Sequence, residues 1–106
     1  MREICLARLY KTRPVLVLTR SAARAAMTKV TVAPITSTVK CLSSEVLVGP
    51  QNGLDHDGAV SIDNVVRIPA TLLGRTVGFL SATQEASLAK AVVLAYDLDV
   101  PLLDAP

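Results

Sequence analysis

Arg13 and Thr36 are the two side chains whose types and expected positions suit joint chemistry on a phosphate group. A guanidinium presents a planar fork of N–H donors that fits two phosphate oxygens, and a hydroxyl can donate one more hydrogen bond. Arg8 and Lys11 add positive charge nearby, so phosphate binding is one interpretation of this region. The alternative, which the residues alone favour, is that Arg13 is an arginine at the rim of a sheet, held in a solvated salt bridge.

Two short strands are predicted to bring these side chains together. Residues 15–18 and 30–32 are runs of Val, Leu and Thr with little charge, which favours strands over helix. Residues 20–29 are rich in alanine and can form one or two helical turns, so the two strands become antiparallel neighbours. A symmetric connection then places Arg13 opposite Thr36, and opposed residues point to the same face of a sheet.

Prolines support this arrangement at the rim. Pro14 biases Arg13 toward an extended backbone, and Pro34 suggests that the second strand ends close to Thr36. The register can be off by a couple of residues, and an odd slip would send one of the two side chains to the opposite face.

The same reading predicts the other elements of the chain. Strands are expected at residues 4–10, 45–48, 59–68 and 75–80, a surface loop at 37–43, and one helical turn at 69–74. Ser81 and Gln84 match a capping box, and the apolar residues that follow recur at helical spacing: Leu88, Ala91, Val92, Ala95 and Tyr96. Pro101 ends this helix, and residues 102–106 are expected to form a loose tail.

This element order predicts an α+β fold in a single domain, residues 1–106: a small curled antiparallel sheet or partial barrel with a carboxy-terminal amphipathic helix. Asn64 shares one face of its predicted strand with four apolar residues, so its amide must find partners or lie at the edge of a pocket. The four are Val60, Ile62, Val66 and Ile68.

Composition excludes several classes of protein. Half of the 106 residues are apolar and 3% are aromatic, so aromatic stacking is not a main binding device, and the net charge of +2 demands no nucleic-acid partner. No apolar run approaches the ~20 residues that cross a bilayer, and charges interrupt the apolar amino terminus, so the expected compartment is the cytoplasm. Cys5 and Cys41 lie far apart in sequence, and the chain has one His, so neither a zinc site nor a disulfide framework is indicated. Both cysteines are expected to be reduced thiols, with at least one in or near the core.

Five segments stand in order along the chain, and together they are more specific than any one alone. They are T-R-P-V-L-V-L-T at residues 12–19, V-T-V-A-P-I-T-S at 30–37, G-L-D-H-D-G-A-V at 53–60, D-N-V-V-R-I at 63–68 and L-G-R-T-V-G-F-L-S at 73–81. In this order they resemble the MazF/PemK family of toxins from bacterial toxin–antitoxin pairs, whose fold is an SH3-like barrel of the CcdB/MazF type.

The resemblance implies a metal-independent endoribonuclease without cofactors that cuts single-stranded RNA at a short sequence, using the 2′-OH as nucleophile. It also implies a homodimer inhibited by an antitoxin, which would be an acidic, partly disordered segment. By position, Arg13 matches the family's catalytic arginine and Thr36 its catalytic threonine, while Asn64 stands where members often carry a glutamine that contacts RNA. The other residues expected to bind RNA are Lys11, Thr12, Ser37, Lys40 and Asp63.

The chain departs from the family pattern between its first two strands. Family members usually have a longer loop there, often with a Gly-Ser-Glu segment beside the active site, whereas only Lys11 and Thr12 remain here. The general acid and base therefore stay unassigned. His56 is the candidate by residue type but is expected to be a solvated loop histidine. Asp63 and Glu3 are further candidates for the base, but a carboxylate of this kind is more often a plain surface charge.

Two other functions stay open from the sequence. CcdB-type toxins share the fold but poison DNA gyrase and depend on residues at the end of the last helix, including a Trp, which this chain lacks. The third reading is a non-catalytic module whose groove only receives an antitoxin segment.

Overall fold

Seven antiparallel strands and two helices form the structure, a computed structural model that describes residues 2–99. The expectations for Pro101 and the tail lie outside the described residues. The strands are β1 (Glu3–Arg8), β2 (Thr12–Val17), β3 (Lys29–Thr36), β4 (Glu45–Val48), β5 (Gly58–Ser61), β6 (Val66–Pro69) and β7 (Leu73–Phe79). The helices are α1 (Ser21–Arg24) and α2 (Ala82–Ala95). Hydrogen bonding joins the strands in the order β4-β5-β3-β2-β1-β7, and β6 also pairs with β3.

Both faces of the central strands are buried, which is why β1, β2 and β3 read as nearly continuous apolar runs. Alternate residues enter two separate clusters because successive side chains of a strand point to opposite faces. Leu16 packs with Ile4 in the cluster that α2 covers through Leu88, whereas Val15 and Val17 belong to the cluster on the other face. The predicted curled antiparallel sheet with a helix packed on it is confirmed.

The predicted register between β2 and β3 is confirmed. Leu16 pairs with Ala33, and Val15 pairs with Pro34, which is the last pair of this ladder. Continuing the same register by two residues places Arg13 across from Thr36. The sequence therefore predicted the relation between the two strands without a slip.

The single strand predicted at residues 59–68 is wrong. The chain forms β5, then a 3₁₀ turn over Ile62–Asn64, then β6, because both strands pair with β3 and the three-residue turn bridges the two ladders. The turn also changes which side chains face inward. Ile62 is buried, but Val66 is 43% exposed and Asn64 lies on the surface, so neither continues the predicted apolar row.

Helix α2 begins as predicted. Ser81 Oγ accepts a hydrogen bond from the Gln84 N–H, and the Gln84 side chain returns to the Ser81 N–H. Gln84 also forms a reciprocal amide pair with the buried side chain of Asn52, which ties the helix to the turn after β4. Leu88 and Ala91 are buried as expected. The prediction that Tyr96 packs on the sheet is wrong, because Tyr96 follows the end of the helix and is 56% exposed.

Smaller predictions differ at element ends. Strand β1 ends at Arg8, so the link to β2 is residues 9–11, and the helical turn expected at 69–74 is a 3₁₀ turn over Ala70–Leu72 that leads directly into β7. Cys5 is buried and Cys41 exposed, both as free thiols. None of the helices within residues 2–99 is long and apolar enough to cross a membrane.

Glu3 at the start of β1 makes stability depend on pH. Thr76 Oγ1 donates a hydrogen bond of 2.5 Å to its carboxylate, and the Arg24 guanidinium donates another. Both contacts favour the charged form, so the pKa of Glu3 lies below the ordinary glutamate value, chiefly through Thr76 and then through Arg24. The carboxylate thus joins β1 to β7 and to α1.

We expect Glu3→Gln to be less stable than the wild type near neutral pH, with the difference vanishing in acid. Because the folded-state pKa is lowered, the stabilisation is complete above the unfolded-state value of ~4.3 and is lost as pH falls through the lower folded value. Urea unfolding of both proteins between pH 7 and pH 3 measures this. Thr76→Val should reduce the same pH dependence, and a stability difference that stays constant down to pH 3 would contradict the assignment.

Candidate functional site

Arg13 lies where the sheet opens. It pairs with Ala7 of β1, but the ladder between β2 and β3 ends at Val15 and Pro34, so no β3 backbone group is paired with it. Its Nε is buried and receives no hydrogen-bond partner from residues 2–99. Neither of the two ion pairs within those residues includes Arg13. A buried donor without a partner costs free energy, which makes Arg13 a candidate ligand-binding residue.

Thr36 is held by its neighbours at the end of β3. Its backbone pairs with Ala59 of β5, and its Oγ1 accepts a hydrogen bond of 3.1 Å from the Thr38 N–H. The hydroxyl proton stays available for donation. Strand β5 approaches closely here, since a Cβ on Gly58 would lie 2.6 Å from the Thr36 carbonyl oxygen. The absence of a side chain at Gly58 therefore allows β5 to lie this close to the Thr36 backbone.

Two adjacent cavities share Arg13 and Thr36 as walls. The first cavity has a volume of about 390 Å³ and is completed by Lys11, Ser37 and the loop at 54–58. His56 belongs to that loop. Its side chain is exposed, as expected for a solvated histidine, yet it lines the same cavity as Arg13.

The second cavity has a volume of about 660 Å³ and shares Arg13 and Thr36 with the first. Lys40, Asp63 and Asn64 line it. Asp63 accepts a hydrogen bond of 2.5 Å from Ser44 Oγ, and Asn64 Nδ2 donates one of 2.7 Å to Ser61 Oγ. Asn64 thus lies at a pocket edge, which was one of the two alternatives that its place in the sequence left open.

The structure therefore brings most of the predicted site residues to one groove. Lys11 and Ser37 line the first cavity, Lys40, Asp63 and Asn64 line the second, and Arg13 and Thr36 line both. Thr12 is exposed on β2 and lines neither.

Sequence reasoning missed two residues that shape the groove, Gly58 and Glu45. Glu45 accepts hydrogen bonds from the backbone N–H groups of the loop before β4. No pattern in the sequence signals these contacts, because the direction of a loop N–H depends on backbone torsions rather than on residue type.

The groove combines three chemical features. A guanidinium with an unpartnered buried donor and a hydroxyl line the same two cavities, so an anionic group can bind beside them while its flanking portions occupy the two cavities. Lysines on each side add positive charge, and the amide and carboxylate of the second cavity can bind polar edges of a substrate. This arrangement suits a phosphodiester within a chain.

Comparison with known proteins shows the family. The profile of the family described as "PemK-like, MazF-like toxin of type II toxin-antitoxin system" matches residues 3–96. The chain belongs to this family. It is 52% identical over 99 residues to "Endoribonuclease MazF3" of Mycobacterium tuberculosis, which covers 93% of this chain and 96% of that protein. "Probable endoribonuclease MazF5" of the same species is 33% identical over 86 residues, covering 80% and 79% of the two chains.

Solved structures agree with the PemK-like, MazF-like fold. The structure of "Mycobacterium tuberculosis toxin MazF-mt6" is similar with a TM-score of 0.91 at 52% identity, covering 93% of this chain and 100% of that one. A mycobacterial endoribonuclease solved in complex with its cognate antitoxin has a TM-score of 0.83 at 23% identity, covering 93% and 95%, and this likeness concerns the fold alone. The resemblance inferred from the five segments is confirmed.

Proposed function

We propose that this PemK-like, MazF-like toxin is an endoribonuclease that cleaves single-stranded RNA without a metal ion, with Arg13 and Thr36 in its active site. Endoribonuclease activity follows from the family and from the 52% identity to an endoribonuclease over nearly the whole chain. The residue assignments rest chiefly on one observation, the buried and unpartnered Nε of Arg13 between two cavities.

The proposed reaction is an internal transesterification. The 2′-oxygen attacks the adjacent phosphorus and forms a new O2′–P bond as the P–O5′ bond breaks. The 2′-OH proton passes to a base, and the departing 5′-oxygen takes up a proton. The products are a 2′,3′-cyclic phosphate on one fragment and a 5′-hydroxyl on the other.

Arg13 stabilises the charge that develops on the phosphoryl oxygens. Its guanidinium donates to two oxygens at once, and these hydrogen bonds strengthen as the five-coordinate phosphorus forms. Thr36 donates one more bond from its hydroxyl, whose oxygen is already oriented by the Thr38 N–H. Both groups act on the transition state more than on the substrate, so they contribute to the rate rather than to binding alone.

Groups on either side of the scissile bond bind the flanking nucleotides. Lys11 lines the first cavity and Lys40 the second, and both are proposed to contact backbone phosphates. Asp63 and Asn64 offer an acceptor and an amide, which are groups that read base edges. The base sequence is therefore proposed to be read mainly in the second cavity.

Partners are proposed on the same basis. As a type II toxin, the chain is expected to bind a cognate antitoxin and to form a homodimer in the cytoplasm. A solved relative of the same fold carries its antitoxin, as its description states. The gyrase-poisoning alternative is not favoured, because the matching profile and the close relatives are those of PemK-like, MazF-like toxins and endoribonucleases.

The decisive experiment is cleavage of a long labelled RNA by the purified protein in EDTA. We expect discrete cuts whose fragments end in a cyclic phosphate and a 5′-hydroxyl. A synthetic oligonucleotide spanning one mapped cut should also be cleaved, and the same oligonucleotide with a single 2′-deoxy substitution before the scissile phosphate should stay intact. Absence of cutting, or cutting of the 2′-deoxy control, would contradict the proposed reaction.

A further inference from the structure

The loop between β3 and β4, residues 37–44, forms one wall of the second cavity. It has no regular secondary structure for most of its length, and Thr38, Lys40 and Leu42 from this loop line the cavity. These residues are exposed, so packing against a core does not hold them. The loop needs another source of order if its side chains are to meet RNA in a fixed arrangement.

Glu45 supplies that order. Its Oε1 accepts hydrogen bonds from the Lys40 N–H at 3.1 Å and from the Leu42 N–H at 3.3 Å, and its Oε2 lies 3.4 Å from the Lys40 nitrogen. Glu45 is the first residue of β4 and pairs with Ser61 of β5, so the carboxylate is attached to the sheet. One side chain of β4 thus binds two backbone N–H groups of the loop.

The backbone between the two bonded amides has an uncommon conformation. Cys41 has a φ of +58°, in the left-handed region that non-glycine residues seldom adopt. This conformation turns the N–H groups before and after Cys41 toward the same point, which creates a small anion-binding concavity. The Glu45 carboxylate occupies that point. Its hydrogen bonds stabilise the left-handed conformation of Cys41, and this conformation in turn orients the two N–H groups toward the carboxylate.

We propose that Glu45 is a positioning residue for RNA cleavage. It holds the 37–44 loop so that Lys40 faces the second cavity and the Thr38 N–H stays on the Thr36 hydroxyl. This inference rests on the proposed function. Glu45 itself lines the second cavity, but its carboxylate is engaged by the backbone N–H groups of Lys40 and Leu42, so it acts on RNA through the loop.

The test compares Glu45→Ala with Glu45→Gln in steady-state cleavage of one RNA oligonucleotide. The amide oxygen of glutamine can take the place of Oε1 and accept both loop N–H groups, whereas alanine accepts neither. We expect Glu45→Ala to raise KM for RNA about tenfold, because the loop and Lys40 must then be ordered when RNA binds, at roughly that cost. The value of kcat should change less, because Thr36 keeps its backbone pairing with Ala59. Glu45→Gln should stay within about threefold of the wild type, because its amide oxygen keeps both loop contacts.

Glu85→Ala is the matched control. The Glu85 carboxylate also forms an intramolecular contact, a 3.0 Å ion pair with Arg2, but on α2 and outside both cavities. Glu85→Ala should therefore leave KM for RNA unchanged, although it also removes a carboxylate that makes an intramolecular contact.

Hydrogen exchange of the Lys40 and Leu42 amides gives a readout that does not need RNA. Exchange should be faster in Glu45→Ala than in the wild type and near wild-type in Glu45→Gln. Suppose that the wild type cuts RNA. The positioning role alone would then be overturned if Glu45→Ala had an unchanged KM, or if Glu45→Ala and Glu45→Gln had equal defects. A wild type that does not cut RNA would overturn the proposed function, and with it the inference.

Discussion

Arg13→Ala should slow RNA cleavage by at least ~100-fold while the protein stays folded, which is the scale of a lost transition-state donor. The variant loses the one group that can donate to two phosphoryl oxygens at the junction of the cavities. It also removes a buried Nε that has no partner from residues 2–99, so stability should not fall and can rise. Single-turnover cleavage with thermal unfolding of the same samples measures both effects.

Three further variants sharpen the result. Arg67→Ala is the matched control, because Arg67 is exposed on β6 and lines neither cavity, and its cleavage rate should be unchanged. Arg13→Lys keeps the charge but loses the fork of donors, so an intermediate rate is expected. Thr36→Val removes one donor and should cost less than Arg13→Ala. Near-normal cleavage by Arg13→Ala would refute its assignment to the active site.

Gly78→Ala should be strongly destabilising, although it adds only one methyl group. Gly78 lies in β7 where the turn after β4 crosses it, and a Cβ there would lie 1.7 Å from the Asn52 carbonyl oxygen. Both sides of this contact are backbone, so no side-chain rotation relieves it. Because overpacking typically costs 1–3 kcal/mol and here cannot relax locally, we expect a loss of about 3 kcal/mol or more in the free energy of unfolding.

Gly74→Ala is the matched control on the same strand. Its Cβ would lie 3.4 Å from the nearest atom, the Leu6 carbonyl oxygen, and the effect on stability should stay within about 1 kcal/mol. Urea unfolding at one fixed protein concentration compares both variants with the wild type. Equal stability of Gly78→Ala and Gly74→Ala would contradict the close approach of the Asn52 backbone to Gly78.

The relation between β2 and β3 could be predicted from sequence because local rules agreed there. Two apolar runs, a short alanine-rich connection and a proline near each end favoured a symmetric antiparallel register, and the structure has that register. The capping box at Ser81 was predictable for a similar reason, since its two partners are close in sequence. Patterns of this kind depend on neighbours along the chain.

The features that sequence reasoning missed depend on contacts between distant segments. The strand expected at 59–68 is interrupted because β5 and β6 each meet β3 at a different place, which alternation within one segment does not reveal. The cavities likewise depend on where the β2–β3 ladder stops, and the contact of Glu45 with its loop depends on the left-handed backbone at Cys41. Each of these is a property of the folded chain.

The proposed cleavage pair lies on strands, and loops bound the cavities beside it. Arg13 and Thr36 belong to β2 and β3, each of which is paired with a strand on both sides, whereas the loops at 37–44 and 54–57 contain no strand. We therefore expect substitutions in these loops to change which RNA sequences bind while the backbone around Arg13 and Thr36 stays in place.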